Sequence, residues 1–253
     1  MKSRLRCRLK PAAENTIRRG HPWIFSDSIV EQNREGALGE LAVIYDRRDQ
    51  FLAIGLFDPD SSLRIRVLHT RKPAVIDSAW WTTRFEEALA RRSGILDGHT
   101  TACRLINGES DGWPGLVLDQ YARTFVLKLY TAAWLPRVNE VAALVSKRLK
   151  PASLVLRLSR NTQPQFAAAR FRDGKILSGE EIAAPIVFQE SGIHFEADVL
   201  TGQKTGFFLD QRENRRYVET LARGAAALNA FSFSGGFSLY AARGGAHSVT
   251  DLD

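Results

Sequence analysis

The sequence predicts a multi-domain α/β protein made of three successive units. These are a small β-barrel-like domain over residues 1–72, an α+β domain over 73–180, and the beginning of a Rossmann-like unit over 181–253. Three observations support this division. Short strand-like runs joined by polar turns fill the first unit, and two helical patterns alternate with strands in the second. A strand, a glycine-containing loop, a helix and a second strand then end the chain.

Composition and charge narrow the class of protein. The hydrophobic fraction of 44% and charged fraction of 25% are typical of a globular protein. No apolar run approaches a membrane span, and the N-terminus lacks the apolar stretch of a secretory signal. Cys7 and Cys103 are isolated in sequence, so we expect a cytoplasmic protein with no disulfide framework and no metal site. The net charge of +7 favours a polyanionic partner such as nucleic acid, and an ordinary basic surface is the alternative.

The first unit begins with a period-two pattern over residues 2–10. Arg4, Arg6 and Arg8 alternate with Leu5, Cys7 and Leu9, which predicts a strand with one cationic face and one mostly apolar face. The cationic face is either a ribbon that follows phosphates or the charged guard of an edge strand. Three further strand-like runs, ELAVIYD, FLAIGLFD and LRIRVLH, predict a small antiparallel barrel.

Between these strands, basic and aromatic residues are interleaved in the stretch RRGHPWIFSDSI. Arg18, Arg19 and His21 precede Trp23 and Phe25. This mixture is found where an unstacked RNA base is held, although aromatic residues in such a run are also ordinary core residues.

The second unit predicts helices over DSAWWTTRFEEALARRSGIL and LPRVNEVAALVSKRL, with Pro136 in the first turn of the latter. Strands are predicted at CRLING, GLVLDQY, TFVLKLY and SLVLRLS, and residues 161–179 show no strong period and predict a long excursion.

The third unit predicts a hairpin that turns at Ser191–Gly192. The Asp-x-x-Glu spacing from Asp210 to Glu213 predicts a capped helix, which Gly224 would end. The run AALNAF then predicts a buried strand that leads into the loop FSFSGGFS.

That loop has the chemistry of a cofactor site. Gly235 and Gly236 permit close backbone approach, and the N–H groups at a helix start attract a polar ligand end. Asp253 lies 18 residues after Gly235, close to the roughly 20 expected for an acid that binds ribose hydroxyls. Phe231 and Phe233 occupy positions where a dinucleotide fingerprint requires glycine, so S-adenosylmethionine fits better than a nicotinamide dinucleotide. A tight α/β turn without a ligand is the alternative.

The run LNAFSFSGGFSLYAARGGAHSVTDLD resembles the first motif of class I S-adenosylmethionine-dependent RNA methyltransferases that carry an N-terminal PUA domain, the group that makes 5-methylcytosine in large-subunit ribosomal RNA. GQKTGFFLDQRENR is similar to the segment before that motif. RRGHPWIFSDSI and GLFDPDSSLRIRVL resemble the PUA domain, and NGESDGWPGLVLDQY resembles the central domain. The resemblance covers essentially the whole chain and implies a PUA domain, a central α+β domain and a Rossmann-like methyltransferase domain, in that order.

The resemblance also implies roles for individual residues. Asp253 would bind the ribose, and Asp210 would be only a helix cap. The pocket around the methionine end of the cofactor would be shaped by Phe231, Ser232, Ser234, Gly235 and Gly236. The segment near the cofactor or the target base would be Lys204, Thr205, Gly206 and Phe207. The contacts to ribosomal RNA would come from Arg4, Arg6, Arg8, Arg18, Arg19, His21 and Trp23.

Methylation of a cytosine ring carbon needs a covalent nucleophile, because that carbon is not nucleophilic until a thiolate adds to the ring. In the resembled group the cysteine lies beyond the second strand of the methyltransferase domain, so we expect it beyond Asp253. The sequence therefore predicts a truncated methyltransferase domain and a chain that is inactive alone, without a catalytic residue of its own. A guanine-modifying RNA methyltransferase, a non-catalytic RNA-binding module and a nicotinamide-dependent oxidoreductase are the alternatives. A homodimer is left open.

Overall fold

The computed structural model describes residues 3–253, so Lys2 of the predicted first strand lies outside the described residues. Within the described residues, the N-terminal region contains six strands and one α-helix. In chain order they are β1 (Leu5–Leu9), α1 (Pro11–Arg18), β2 (Trp23–Ile24), β3 (Ile29–Gln32), β4 (Leu41–Tyr45), β5 (Phe51–Phe57) and β6 (Ile65–Thr70). The strands form one sheet in the order β2-β6-β5-β4-β1-β3.

Strand β1 lies inside this sheet. It pairs in parallel with β4 and antiparallel with β3, so the edge-strand interpretation of its charges is wrong. The predicted alternation is confirmed, because Leu5, Cys7 and Leu9 are buried while Arg4 and Arg6 are exposed. The parallel pair also makes the sheet mixed, whereas the sequence predicts an antiparallel barrel. Pairing between strands that are distant along the chain leaves no local pattern.

The central region is a five-stranded sheet with three α-helices. Its elements are α2 (Ser78–Ala90), β7 (Ala102–Asn107), β8 (Leu116–Tyr121), β9 (Thr124–Leu129), α3 (Val138–Leu149), β10 (Ser153–Leu158), α4 (Gln163–Ala168) and β11 (Lys175–Gly179). The strand order is β11-β10-β9-β8-β7.

Two local predictions for the central region are wrong. The stretch 161–179 contains α4 and β11 rather than a long excursion, and β11 pairs antiparallel with β10. Asp173 helps to hold it there, because it accepts the Leu158 N–H at 2.6 Å and pairs with Arg157 at 3.1 Å. Pro136 lies in a 3-10 turn over Ala132–Arg137, before α3 begins. The positions of β11 and of the 3-10 turn depend on contacts with distant segments, and the spacing of apolar residues along the chain does not reveal such contacts.

One hydrophobic cluster spans the N-terminal and central regions, in addition to a second cluster within the N-terminal sheet. Trp81, Trp113 and Trp134 pack at ring-centroid distances of 5.0, 5.3 and 5.7 Å. Leu56 and Leu68 from the first sheet belong to the same cluster. The two regions are therefore packed together through apolar contacts rather than joined only by the chain.

The C-terminal region combines a hairpin with a β-α-β unit. Its elements are β12 (Ile186–Glu190), β13 (Ile193–Ala197), α5 (Arg212–Leu221), β14 (Ala226–Ala230), α6 (Gly236–Arg243) and β15 (Ser248–Leu252). β14 and β15 pair in parallel around α6, which confirms the predicted order of strand, loop, helix and strand. Phe188 and Phe195 of the hairpin pack against Tyr121 and Val155 on one face of the central sheet.

Two predictions fail in this region. Helix α5 begins at Arg212 after a 3-10 turn over Leu209–Gln211, and its N-cap residue Gln211 makes no side-chain cap hydrogen bond. Asp210 therefore does not cap this helix, because the turn moves the start of the helix past it. Strand β14 is not buried, since Leu228 is 68% exposed. The apolar composition of a strand indicates that its side chains can be buried. Whether they are buried depends on which other elements pack against the strand.

Candidate functional site

The turn between β14 and α6 holds three residues in the left-handed backbone region. Phe231, Phe233 and Gly235 have φ angles of 59°, 51° and 66°. For a phenylalanine this conformation costs on the order of 1–2 kcal/mol, because the Cβ atom crowds the following carbonyl. The two rings gain little burial in return, since Phe231 is 91% and Phe233 is 42% exposed. Strained backbone of this kind is concentrated at ligand-binding positions.

Helix α6 begins at the end of this turn. The first N–H groups of a helix have no intrahelical acceptor, and the helix dipole favours a polar or negatively charged ligand there. A Cβ atom built on Gly235 would meet open space, whereas one on Gly236 would lie 3.1 Å from Arg215 Cδ and 3.6 Å from Phe207 Cζ. Gly235 thus faces open space and Gly236 faces the protein, so the turn has an open side that a ligand can approach.

The acid that follows β15 lies beside the turn. Phe233 N–H donates to Asp253 Oδ1 at 3.3 Å, and Ser232 N–H donates to the Leu252 carbonyl at 3.2 Å. Asp251 is used differently, because its Oδ1 accepts from Asn229 Nδ2 at 3.0 Å and from the Ser238 hydroxyl. The structure therefore places exposed Asp253, rather than Asp251, at the open turn, beside the exposed Ser234.

The segment 204–208 reaches the same turn from the other side. The Phe208 and Phe233 rings meet edge to face at 5.1 Å, and Phe207 is buried next to Gly236. Lys204 is exposed, with a φ of 58°. Of the predicted residues, Phe207 thus lies beside Gly236, whereas the ring contact to Phe233 comes from Phe208, which the sequence did not single out.

Thr205 has partners in the central sheet. Its hydroxyl donates to Asp119 Oδ2 at 2.6 Å and lies 3.0 Å from the Tyr121 hydroxyl. Asp119 also forms a two-point ion pair with Arg104, at 2.8 and 3.0 Å. Burial raises the pKa of Tyr121, with the Asp119 carboxylate as the second cause, so this hydroxyl stays protonated. Thr205 and the buried Gly206 thereby fix the segment to the central region.

A buried ion pair that was not predicted from the sequence lies behind the turn. Arg215 donates to both carboxylate oxygens of Glu190 at 2.7 Å, and the Tyr240 hydroxyl donates to Glu190 at 3.1 Å. The Arg215 guanidinium also lies 4.6 Å from the centre of the Phe207 ring. These contacts link β12, α5 and α6, and the Arg215 side chain packs against Gly236. From the sequence, an arginine on an amphipathic helix such as Arg215 is expected to face solvent. No local signal therefore identifies this buried pair.

The predicted RNA-binding arginines are partly neutralised within the chain. Arg8 pairs with Glu31 at 2.8 Å and with Asp49 at 2.7 Å. Arg6 stacks on Tyr45 at 4.5 Å from the ring centre, 4.0 Å from Asp49. Arg18 pairs with Asp46, and with Glu14 at 3.4 Å. Arg4 and Arg19 are exposed.

His21 and Trp23 lie at the boundary with the central region. His21 Nδ1 accepts the Trp23 N–H at 3.2 Å, and the Trp23 indole N–H donates to Glu109 Oε1 at 2.9 Å. The tryptophan is 39% exposed. Trp23 is therefore held in place and open to solvent on one side.

The two cysteines are buried, and burial raises the pKa of Cys7 and of Cys103 to about 11. Over residues 3–253, no helix is long and apolar enough to cross a membrane. The same part of the chain contains no group of three histidine, cysteine or acidic side chains suited to a metal ion.

Comparison with known proteins identifies the family. The family described as S-adenosylmethionine-dependent methyltransferase matches residues 104–253, which is more than half of the chain, and a PUA-like domain matches residues 7–70. This chain belongs to the S-adenosylmethionine-dependent methyltransferase family. The predicted combination of a PUA-like domain with a methyltransferase domain is confirmed, and so is S-adenosylmethionine as the cofactor of the family.

Individual relatives agree with this assignment. A ribosomal RNA large subunit methyltransferase of Deinococcus radiodurans is 58% identical over 99% of this chain and 62% of its own length. Ribosomal RNA large subunit methyltransferase I of Pseudoalteromonas translucida is 32% identical over 97% of this chain and 62% of its own length. The chain thus spans about three fifths of the length of these relatives.

Solved structures share the fold. The methyltransferase SMU.776, solved as a complex with SAH, superimposes with a TM-score of 0.84 at 23% identity, over 98% of this chain and 62% of its own. A protein described as a SAM-dependent methyltransferase from Streptococcus mutans gives a TM-score of 0.82 at 22% identity, over 98% and 63%. At this level of identity the likeness concerns the fold.

Proposed function

We propose that this chain is part of an enzyme that transfers a methyl group from S-adenosylmethionine to large-subunit ribosomal RNA. One observation carries the proposal: the strained turn 231–236 opens beside the carboxylate of Asp253, which is hydrogen-bonded to the Phe233 N–H. The names of the Deinococcus and Pseudoalteromonas relatives support RNA of the large subunit as the substrate. The PUA-like match over residues 7–70 supports an RNA-binding role for the N-terminal region.

The residues of the turn suit this cofactor. Asp253 would accept hydrogen bonds from the ribose, and the N–H groups at the start of α6 would bind the methionine end. S-adenosylmethionine carries an electrophilic methyl group on a sulfonium. The turn itself would be formed by Phe231, Ser232, Ser234, Gly235 and Gly236. Lys204, Thr205, Gly206 and Phe207 would support it or lie near the target base.

Carbon 5 of cytosine is the target that we propose, on the strength of the family resemblance, with a guanine as the alternative. Cytosine C5 requires a thiolate, and a guanine nitrogen does not. Both cysteines of this chain are buried with raised pKa values, so neither supplies the thiolate. A nucleophilic cysteine outside this chain stays a prediction, as does a cytoplasmic location, and a homodimer stays open.

Removing the Asp253 carboxylate should weaken cofactor binding. For Asp253→Ala we expect a loss of about 1.5–3 kcal/mol, the usual contribution of a hydrogen bond to a charged group. That corresponds to a dissociation constant for S-adenosylhomocysteine raised roughly 10- to 150-fold. Isothermal titration calorimetry measures this directly. Glu196→Ala, which removes an exposed acid of β13, is the matched control and should bind like the unchanged chain. Equal affinity for both variants, or tighter binding of a nicotinamide dinucleotide, would contradict the assignment.

The arginines of the N-terminal region should contribute to the salt dependence of RNA binding. Arg4→Gln and Arg19→Gln should each reduce the slope of log affinity against log salt by about 0.7–0.9, because one phosphate contact is lost. Arg8→Gln should change it less, since Glu31 and Asp49 already neutralise Arg8. Filter binding over a salt series gives the slope. Arg148→Gln, on α3 and paired with Glu86, serves as the control. An unchanged slope in all three N-terminal variants would exclude this face.

A further inference from the structure

A cleft opens where the N-terminal sheet meets the central sheet. Its volume is about 500 Å³, within the range of small-ligand sites. One wall carries Trp23 and Arg66, which are cross-strand neighbours on β2 and β6. The other walls come from the central region, with Tyr130 directly after β9 and Asn107 at the end of β7.

Two aromatic rings line this cleft and are partly open to solvent. Trp23 is 39% exposed and Tyr130 is 37% exposed, whereas Trp81, Trp113 and Trp134 are buried in the shared core. Exposed rings in a chain of net charge +7 suit the face of a nucleobase, because each base has an apolar surface that stacks on an aromatic side chain.

The walls of the cleft are held in position before any ligand arrives. Glu109 Oε1 accepts from the Trp23 indole N–H at 2.9 Å and from Arg66 Nη1 at 3.1 Å, which ties the N-terminal sheet to the central region. On the opposite wall, the Tyr130 N–H donates to the Gly115 carbonyl at 2.8 Å. A preorganised site loses less conformational entropy on binding.

The Arg66 guanidinium is held at the wall of the cleft. Arg66 Nε is buried and lacks a hydrogen-bond partner among the residues that the structure describes, although Nη1 of the same guanidinium is paired with Glu109. Because this nitrogen is closed to solvent, Arg66 shapes the cleft through its position beside Trp23 and its pairing with Glu109 rather than as a donor to a ligand.

We infer that this cleft binds one unstacked base of single-stranded RNA, with Trp23 and Tyr130 as stacking surfaces. The inference rests on the proposed RNA substrate and deepens it. It adds a subsite formed jointly by the N-terminal and central regions, separate from the cofactor turn. A base held there lies in a locally single-stranded segment, because a base inside a helix has both faces covered by its stacked neighbours.

The test uses the chain and a short single-stranded oligoribonucleotide of mixed sequence, with binding followed by fluorescence anisotropy. Tyr130→Ala should weaken binding about 10-fold, and Tyr130→Phe should bind like the unchanged chain because the ring is kept. Trp23→Ala should weaken binding similarly. Tyr217→Ala removes a ring that is 65% exposed on α5 and is the matched control, expected to have no effect. A fully paired duplex of the same sequence should show little difference between Tyr130→Ala and the unchanged chain.

Photo-crosslinking provides an independent readout. An oligoribonucleotide carrying 5-iodouridine should crosslink to peptides containing Trp23 or Tyr130. Undiminished affinity of both alanine variants, crosslinks confined to other regions, or no measurable affinity of the unchanged chain would overturn the inference. Calorimetry with S-adenosylhomocysteine on Tyr130→Ala separates this result from the proposed function. If the alanine variants bind RNA like the unchanged chain while cofactor binding is intact, only the proposed base-binding cleft is contradicted. If RNA binds through the cleft but S-adenosylhomocysteine does not bind, only the proposed methyl transfer is contradicted.

Discussion

Arg215→Ala should lower the free energy of unfolding by about 3–5 kcal/mol, because it leaves the Glu190 carboxylate buried without its partner. Both side chains are almost fully buried, at 3% and 0% exposure, and two 2.7 Å hydrogen bonds join them. Urea unfolding followed by circular dichroism measures the change. The neighbouring Arg216 gives the matched control. It is 56% exposed and pairs with Glu213 at 3.3 Å, so Arg216→Ala should cost less than about 1 kcal/mol.

A double variant separates the loss of the ion pair itself from the cost of leaving the Glu190 charge buried and unpaired. Glu190→Gln combined with Arg215→Met removes both charges and should be more stable than Arg215→Ala alone, since no buried charge is then left unpaired. Because Arg215 packs against Gly236 of the cofactor turn, we also expect Arg215→Ala to bind S-adenosylhomocysteine more weakly, at temperatures where the variant is folded. Equal destabilisation by Arg215→Ala and Arg216→Ala would show that the buried pair contributes no more than a surface one.

The 253-residue chain should transfer no methyl group to carbon 5 of cytosine, even with cofactor and unmodified ribosomal RNA present. The reaction needs a thiolate, and burial keeps both cysteines protonated near neutral pH, with pKa values of about 11. Their side chains are also inaccessible, because Cys7 is 2% and Cys103 is 5% exposed. Transfer from radiolabelled S-adenosylmethionine is the measurement, and the Deinococcus protein named as a ribosomal RNA large subunit methyltransferase is assayed in parallel on the same RNA.

One outcome would contradict this expectation, and a second would instead favour the guanine alternative. Turnover that Cys103→Ala abolishes would make Cys103 the nucleophile despite its burial. Turnover that survives in the Cys7→Ala, Cys103→Ala double variant would favour methylation of a nitrogen, as in the guanine alternative, because no thiolate would then be involved. The position of the methyl group in the RNA product distinguishes ring carbon from nitrogen.

Much of the cofactor turn could be predicted from the sequence because its signals are local. Glycine after a strand, a helix start and an acid 18 residues later are all read along the chain, and the structure confirms their order around Gly235 and Asp253. The alternation of Leu5, Cys7 and Leu9 with arginines likewise fixes which face of β1 is buried. In these cases a backbone preference or a period of two residues determines the outcome by itself.

Only the tertiary structure decided which charges are available and which rings meet. Arg8 and Arg18 read as free cations in the sequence, yet acids from distant turns neutralise them. The Glu190–Arg215 pair joins residues 25 positions apart. Trp23 and Tyr130 enter one cleft only because the two sheets share a core. Ion pairing, burial and cleft formation depend on distances between segments far apart along the chain, and no local pattern encodes those distances.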